Sequence, residues 1–234
     1  MADLVIGELT ARRGATLVLD RVSLTVHRRE IVAVTGPSNA GKTTLLAAIA
    51  GLLPCHTATL SLAGRDLAGL APEARVRCGL VYVPQGRGVF PGMTVRDNLL
   101  IGGWAARNRN IPRILDVLPG LGDVLAYRAG DLSQFGRQLC AIGRALMTQP
   151  AVLLLDEPTR GLSPSESAQL FALLPDILAT GVSILFTDHD LDGATQIADR
   201  LHLLDQGRLT RSGTPAGLLT DPAFLDWYGP GAAP

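Results

Sequence analysis

Gly36-Pro37-Ser38-Asn39-Ala40-Gly41-Lys42-Thr43-Thr44 follows the apolar run Ile31 to Val34 and opens a helical stretch. That order is the pattern of a loop whose backbone N–H groups, with the N-terminus of the next helix, cradle phosphates. In such a loop the Lys42 ammonium reaches the outer phosphates and the Thr43 hydroxyl can hold Mg²⁺. Lys42 is also the only lysine among the 21 basic residues; the others are arginine. A lysine gives a compact point charge on a slender stem, for which a forked guanidinium is no substitute. A second group, Leu153-Leu154-Leu155-Asp156-Glu157-Pro158, ends an apolar run with two carboxylates. Open α/β sheets bind ligands at such strand ends. Phosphoryl transfer to water needs an acid on the metal and an acid that orients or deprotonates the water, which assigns Asp156 to Mg²⁺ and Glu157 to water.

The elements that must position these groups are legible as alternating patterns. Ile31–Val34, Leu80–Val83, Ala151–Leu155, Val182–Phe186 and Leu201–Leu204 are short runs, several of them apolar on both faces, as buried parallel strands are. Helical stretches are expected after Gly41, over Gln134–Met147, after Ser163 and over Leu191–Asp199, so the fold class is α/β with a mostly parallel sheet. Ser163-Pro164-Ser165-Glu166 supplies an N-cap, a proline at the first helical position and a capping-box glutamate, while Pro175 is expected to kink or end that helix. The first 30 residues and Thr57–Leu62 read as antiparallel strands around turns such as Ala63-Gly64-Arg65-Asp66. Residues 86–148 lack strong strands and hold Pro112 and Pro119, which reads as a helical insertion; Gly229–Pro234 reads as a frayed tail.

The chain has 234 residues, 47% hydrophobic and 18% charged, a composition that excludes a disordered solvating polymer. Its 21 acidic residues balance its 21 basic ones, which disfavours a dedicated nucleic-acid binder. Cys55, Cys78 and Cys140 are odd in number and widely spaced, suggesting neither a disulfide framework nor a zinc site. No run approaches the roughly 18 apolar residues a membrane helix needs, and Met1-Ala2-Asp3 does not begin a signal peptide, so the chain is expected to stay inside the cell.

With these residues in place the sequence resembles the ATP-binding cassette (ABC) ATPases along nearly its full length. Gln85 after Leu80–Val83 looks like that family's Q-loop glutamine, Leu132-Ser133 starts its signature loop, and His189 looks like its switch histidine. The resemblance implies a P-loop NTPase fold of ABC type: one domain over 1–234, with an N-terminal antiparallel β subdomain, a core over 1–85 and 149–228, and a helical subdomain over about 86–148. It implies ATP and Mg²⁺ as ligands, with Gln85 joining Thr43 and Asp156 at the metal. Tyr82-Val83-Pro84-Gln85, Ala129-Gly130-Asp131-Leu132-Ser133 and Asp156-Glu157-Pro158-Thr159-Arg160 are similar to the small ATPase subunits of branched-chain amino acid and urea importers, with Gly130–Ser133 and the Gln85 segment leaning to urea. Such subunits pair head to tail with a second ATPase, as homo- or heterodimers. They act with transmembrane permease subunits and an external substrate-binding protein, which implies a peripheral place on the cytoplasmic face of the membrane.

Three places depart from the family pattern. The signature loop normally reads Leu-Ser-Gly-Gly-Gln, but here it is Leu132-Ser133-Gln134-Phe135-Gly136. Gln134 and Phe135 could crowd a partner's ATP; alternatively Phe135, Leu139, Ile142 and Leu146 form one apolar stripe and the phenylalanine packs inward. Where the family stacks an aromatic on adenine, this chain has Arg13, which can stack on the base or be a solvated turn charge. Asn39 replaces a usual glycine and tolerates left-handed backbone. Rival readings are a non-catalytic regulatory nucleotide-binding partner, which the altered signature favours, and a soluble ABC protein.

Overall fold

Side chains along a strand alternate between its two faces, and here both faces find a core. A computed structural model of the chain describes residues 3–86, 88–222 and 224–225, so Gly229–Pro234 lies outside the described residues. The strands are β1 (Leu4–Arg13), β2 (Thr16–Val26), β3 (Ile31–Thr35), β4 (Cys55–His56), β5 (Thr59–Leu62), β6 (Arg65–Asp66), β7 (Leu80–Val83), β8 (Val152–Asp156), β9 (Ser183–Thr187), β10 (Arg200–Asp205) and β11 (Arg208–Gly213). The helices are α1 (Lys42–Ile49), α2 (Pro72–Arg77), α3 (Val95–Gly102), α4 (Ile111–Val117), α5 (Gln134–Leu146), α6 (Pro164–Ala179), α7 (Leu191–Ile197) and α8 (Pro215–Leu218). Short 3₁₀ turns cover Pro119–Val124 and Ala129–Asp131.

A six-stranded sheet runs β11-β10-β3-β9-β8-β7, parallel except for the β10–β11 hairpin. A second, antiparallel sheet runs β2-β1-β5-β6, with β4 also on β1. Ile31, Ala33, Leu153, Leu155, Ile184 and Phe186 point into one core, shared with α3 to α6. Val32, Val34, Leu154, Leu185 and Leu204 point into the other, shared with α1 and the antiparallel sheet. This two-sided burial brings the carboxyl ends of β3, β8 and β9 to one edge, where the loops of interest emerge.

Local signals fix most boundaries. Ser163 and Glu166 form the capping box of α6, and Thr94 and Ser133 cap α3 and α5 through the amides of Asp97 and Gly136. Ala63 and Gly64, both at positive φ, turn β5 into β6, so Arg65 and Asp66 pair in the sheet rather than belonging to the turn. Pro175 does not end α6, which continues to Ala179: Leu170, Phe171, Leu174 and Ile177 are buried on both sides of it, and their packing outweighs the lost hydrogen bond. The helix expected over Leu191–Asp199 stops at Ile197, because Asp199 pairs with Ile31 through both its amide and its carboxylate.

One buried group makes the fold sensitive to acid. His202 on β10 is 5% exposed; its Nδ1 pairs with Ser212 Oγ, and its Nε2 has no hydrogen-bond partner among the described residues. Burial, and after it the Arg200 charge, holds its pKa down at about 4, with Glu30 acting in the opposite sense. An unfolded chain protonates a histidine near pH 6.5, so this contribution is complete above about pH 6.5 and is lost as pH falls toward about 4. Between about pH 7 and pH 5, His202→Gln should lose about 2 kcal/mol less stability than the parent in urea unfolding. An equal loss in both would remove His202 as the cause.

Candidate nucleotide-binding and hydrolysis site

The phosphate-type loop leaves β3 at Thr35 and enters α1 at Lys42. At Gly36 a Cβ would lie 2.0 Å from the Leu204 carbonyl oxygen, so only glycine lets the loop cross β10 at this distance. Asn39 takes φ +68, the left-handed region that asparagine accepts better than most residues. Buried Lys42 folds back on its own loop, Nζ donating to the carbonyls of Gly36 at 2.8 Å and Pro37 at 3.1 Å and lying 3.6 Å from Glu157 Oε1.

Asp156, at the end of β8, is 2% exposed. Its Oδ1 accepts from the hydroxyls of Thr43 (3.1 Å) and Thr187 (2.9 Å), and its Oδ2 from the Tyr82 phenol (2.9 Å). Burial pushes the Asp156 carboxyl up from its ordinary value; the three hydrogen bonds oppose the shift and the Glu157 charge adds to it. Tyr82 is raised as well, by burial first and then by the Asp156 charge. Thr43 and Asp156 together offer hard oxygens at hydrogen-bond distance. This suits Mg²⁺, which takes one or two protein oxygens and completes its shell with water and substrate phosphates. The described residues hold no cluster of three or more histidines, cysteines or carboxylates of the kind an all-protein metal cage requires.

Glu157 sits at φ +43, its amide donating to Thr187. Its Oε2 accepts from Gln85 Nε2 and Arg160 Nη1, both at 2.9 Å. Gln85 is therefore brought to Glu157 rather than to the Thr43–Asp156 pair. His189 follows β9 with its ring exposed; the ring Nδ1 is 3.3 Å from Asp188 Oδ1, and the structure gives it no bond to Glu157. A cavity of about 450 Å³ is lined by Arg13, Ser38, Lys42, Thr43, Glu157 and Arg160 among others, which puts Arg13 at its rim while leaving the side chain exposed. Pro37, Ala40 and Thr44 complete the loop and the first turn of α1.

None of Leu132–Gly136 lines this cavity. Leu132 is buried, Ser133 caps α5, and half-buried Phe135 packs against the core that contains Leu139, Ile142 and Leu146, the inward alternative left open by the sequence. Gln134 Nε2 donates to the Arg160 carbonyl at 2.8 Å. Sequence reasoning gave no role to Tyr82, Thr159, Arg160, Thr187 or Asp188. The available signals were polar residues in or directly after apolar strands: the phenol of Tyr82 within β7 and the pair Thr187-Asp188 ending β9.

A strand–loop–helix phosphate cradle beside a strand-end Asp–Glu pair defines a P-loop ATPase. The chain belongs to the ABC transporter family, whose sequence pattern matches residues 19–160, and it is an ATPase subunit of a transporter. It is 35% identical over 219 residues to the high-affinity branched-chain amino acid transport ATP-binding protein BraG of Pseudomonas aeruginosa, covering 92% of this chain and 94% of that one. It is 34% identical to the probable branched-chain amino acid transport ATP-binding protein LivF of Archaeoglobus fulgidus, over 88% of this chain and 90% of that one. A sulfate/thiosulfate import ATP-binding protein of Chromobacterium violaceum is 36% identical, but only 59% of it is covered, against 92% of this chain. Among solved structures, the ADP conformation of an ATP-binding cassette of an ABC transporter matches with TM-score 0.86 at 27% identity, over 97% of this chain and 98% of that chain.

Asp188 ties the segments that follow β8 and β9 together. It is buried, and its carboxylate accepts from the Thr159 amide and hydroxyl and from the amides of His189 and Asp190. Asp188→Ala should therefore destabilise the fold by on the order of 2–3 kcal/mol, the cost of unpaired buried donors. Chemical denaturation measures it, and a change below about 0.5 kcal/mol would mean that water replaces the carboxylate.

Proposed function

We propose that this chain is the ATP-hydrolysing subunit of an importer for branched-chain amino acids, peripheral on the cytoplasmic face of the membrane. The observation that carries this reading is the near end-to-end match, in both directions, with two branched-chain amino acid transport ATP-binding proteins. Urea is the alternative cargo, on the residues around Gln85 and Gly130–Ser133. When ATP enters, Lys42 exchanges the carbonyls of Gly36 and Pro37 for phosphate oxygens, and the amides of the Gly36–Thr44 loop take the rest of the phosphate charge. Mg²⁺ held by Thr43 and Asp156 would supply charge neutralisation on the phosphates. Glu157 accepts the proton of the attacking water, oriented by Gln85 and His189, and Arg13 lies at the base. A second ATPase subunit, the same or different, pairs head to tail, so that Leu132–Gly136 faces its nucleotide. Residues 86–148 act as the helical subdomain, and an external binding protein delivers cargo to the permease subunits.

Glu157→Gln should retain ATP binding and lower turnover by about 10²-fold or more, as loss of a positioned base does. Unchanged turnover would remove Glu157 from that role.

The permease needs a docking face, because no helix among the described residues is long and apolar enough to cross a membrane. A cavity of about 700 Å³ beside α3 is lined by Met93, Leu100, Ile101, Trp104, Arg107 and Arg109 among others. Trp104 is 80% exposed, and Phe90, Ile101 and Tyr127 are exposed as well. Aromatic anchors with neighbouring arginines are the composition of a protein interface, here one for a cytoplasmic segment of a permease subunit. Trp104→Asp should lower co-purification with the permease subunits by tenfold or more, since a central aromatic anchor contributes about 2 kcal/mol or more. Undiminished co-purification would place the permease elsewhere.

A further inference from the structure

Glu157 is more heavily engaged than a base awaiting water needs to be. Both lone pairs of Oε2 are used, by Gln85 Nε2 and Arg160 Nη1, while Oε1 faces Lys42 Nζ at 3.6 Å. Two of these three partners have an evident place in catalysis: Lys42 is drawn to phosphate when nucleotide arrives, and a neutral amide leaves the carboxylate's charge intact. Arg160 is different. Its guanidinium is 62% exposed, it pairs with a carboxylate that is 12% exposed, and the turn that carries it is held by bonds within the chain. The Arg160 amide donates to the Glu157 carbonyl and the Leu162 amide to Thr159. Gln134, from the first turn of α5, holds the Arg160 carbonyl at 2.8 Å, and a Cβ on Gly161 would sit 2.5 Å from that same Gln134 nitrogen.

We propose that Arg160 is a positioning residue that restrains Glu157 and thereby slows ATP hydrolysis. The inference rests on the reading that Glu157 accepts the water's proton. An ion pair stabilises Glu157 while the carboxylate is fully charged and weakens as the carboxylate takes on a proton. The interaction is therefore stronger in the ground state than in the transition state, which raises the barrier. Occupying Oε2 also leaves only Oε1 to receive water. A half-exposed pair of this kind should slow turnover roughly threefold, the scale of a surface ion pair.

The test is steady-state ATPase of the purified full chain and its Arg160→Ala, Arg160→Lys and Glu157→Gln variants at low and high salt. Arg160→Ala should raise kcat about threefold with KM for ATP unchanged, and Arg160→Lys should fall between it and the parent. Salt should raise the parent's kcat toward that of Arg160→Ala while leaving the variant flat, because screening weakens the pair. A purely structural role for Arg160 would not produce that convergence. If Glu157→Gln is slow but Arg160→Ala is no faster than the parent, the restraint is overturned and the base survives. A raised KM as the sole change would make Arg160 a nucleotide ligand and also overturn it. If Glu157→Gln turns over as fast as the parent, both fall.

Discussion

A carboxylate withdrawn from water must replace its hydration with protein donors, and Asp156 draws its three from three separate elements. Tyr82 reaches it from β7, Thr187 from β9 and Thr43 from the first turn of α1. A shift of any of these elements along its axis would leave an ion uncompensated in a buried place, at a cost of several kcal/mol. The alignment of the sheet edge thus depends on this one group. The next carboxylate, Asp188, repeats the arrangement one strand over, collecting the turn at Thr159 and the two residues that follow it.

That dependence explains what the sequence could and could not convey. The loop Gly36–Thr44, the pair Asp156-Glu157 and the capping box at Ser163 are contiguous, so each can be read from neighbours in the chain. Tyr82 and Thr187 meet Asp156 through strand register: Tyr82 pairs with Leu154 and Asp156 with Thr187, across segments far apart in sequence. Nothing local encodes such register; the two buried faces of the sheet do. Pro175 shows the same limit in reverse: a proline read locally can end a helix, but the apolar side chains on both sides of it carry α6 through to Ala179. The amide of Gln85 could reach the metal side or the water side of the site, and only the folded loop directs it to Glu157.

The signature segment shows a local departure absorbed by its surroundings. Phe135 lies within the apolar stripe of α5, and the Gln134 amide finds a carbonyl acceptor in the turn after β8. The side chains at 134 and 135 therefore find partners within the same subunit. At the start of α5 the Ser133 hydroxyl and backbone remain at the surface, while the aromatic ring packs against the core. The acidic edge and the start of α5 are joined through Arg160, whose carbonyl serves one and whose guanidinium serves the other.

The solitary lysine has a consequence for covalent chemistry. Lys42 is the only side-chain amine of the sequence, it is buried, and its nitrogen already donates to two carbonyls. Acylating reagents that mark lysines across an ordinary protein surface meet none on this one, so side-chain acylation of this chain reports a single atom. That atom lies in the lining of the cavity and is engaged by the Gly36 and Pro37 carbonyls, and a phosphate seated on it would shield it further. Lysine labelling, usually a blunt survey of a surface, becomes here a direct readout of whether this one loop is occupied.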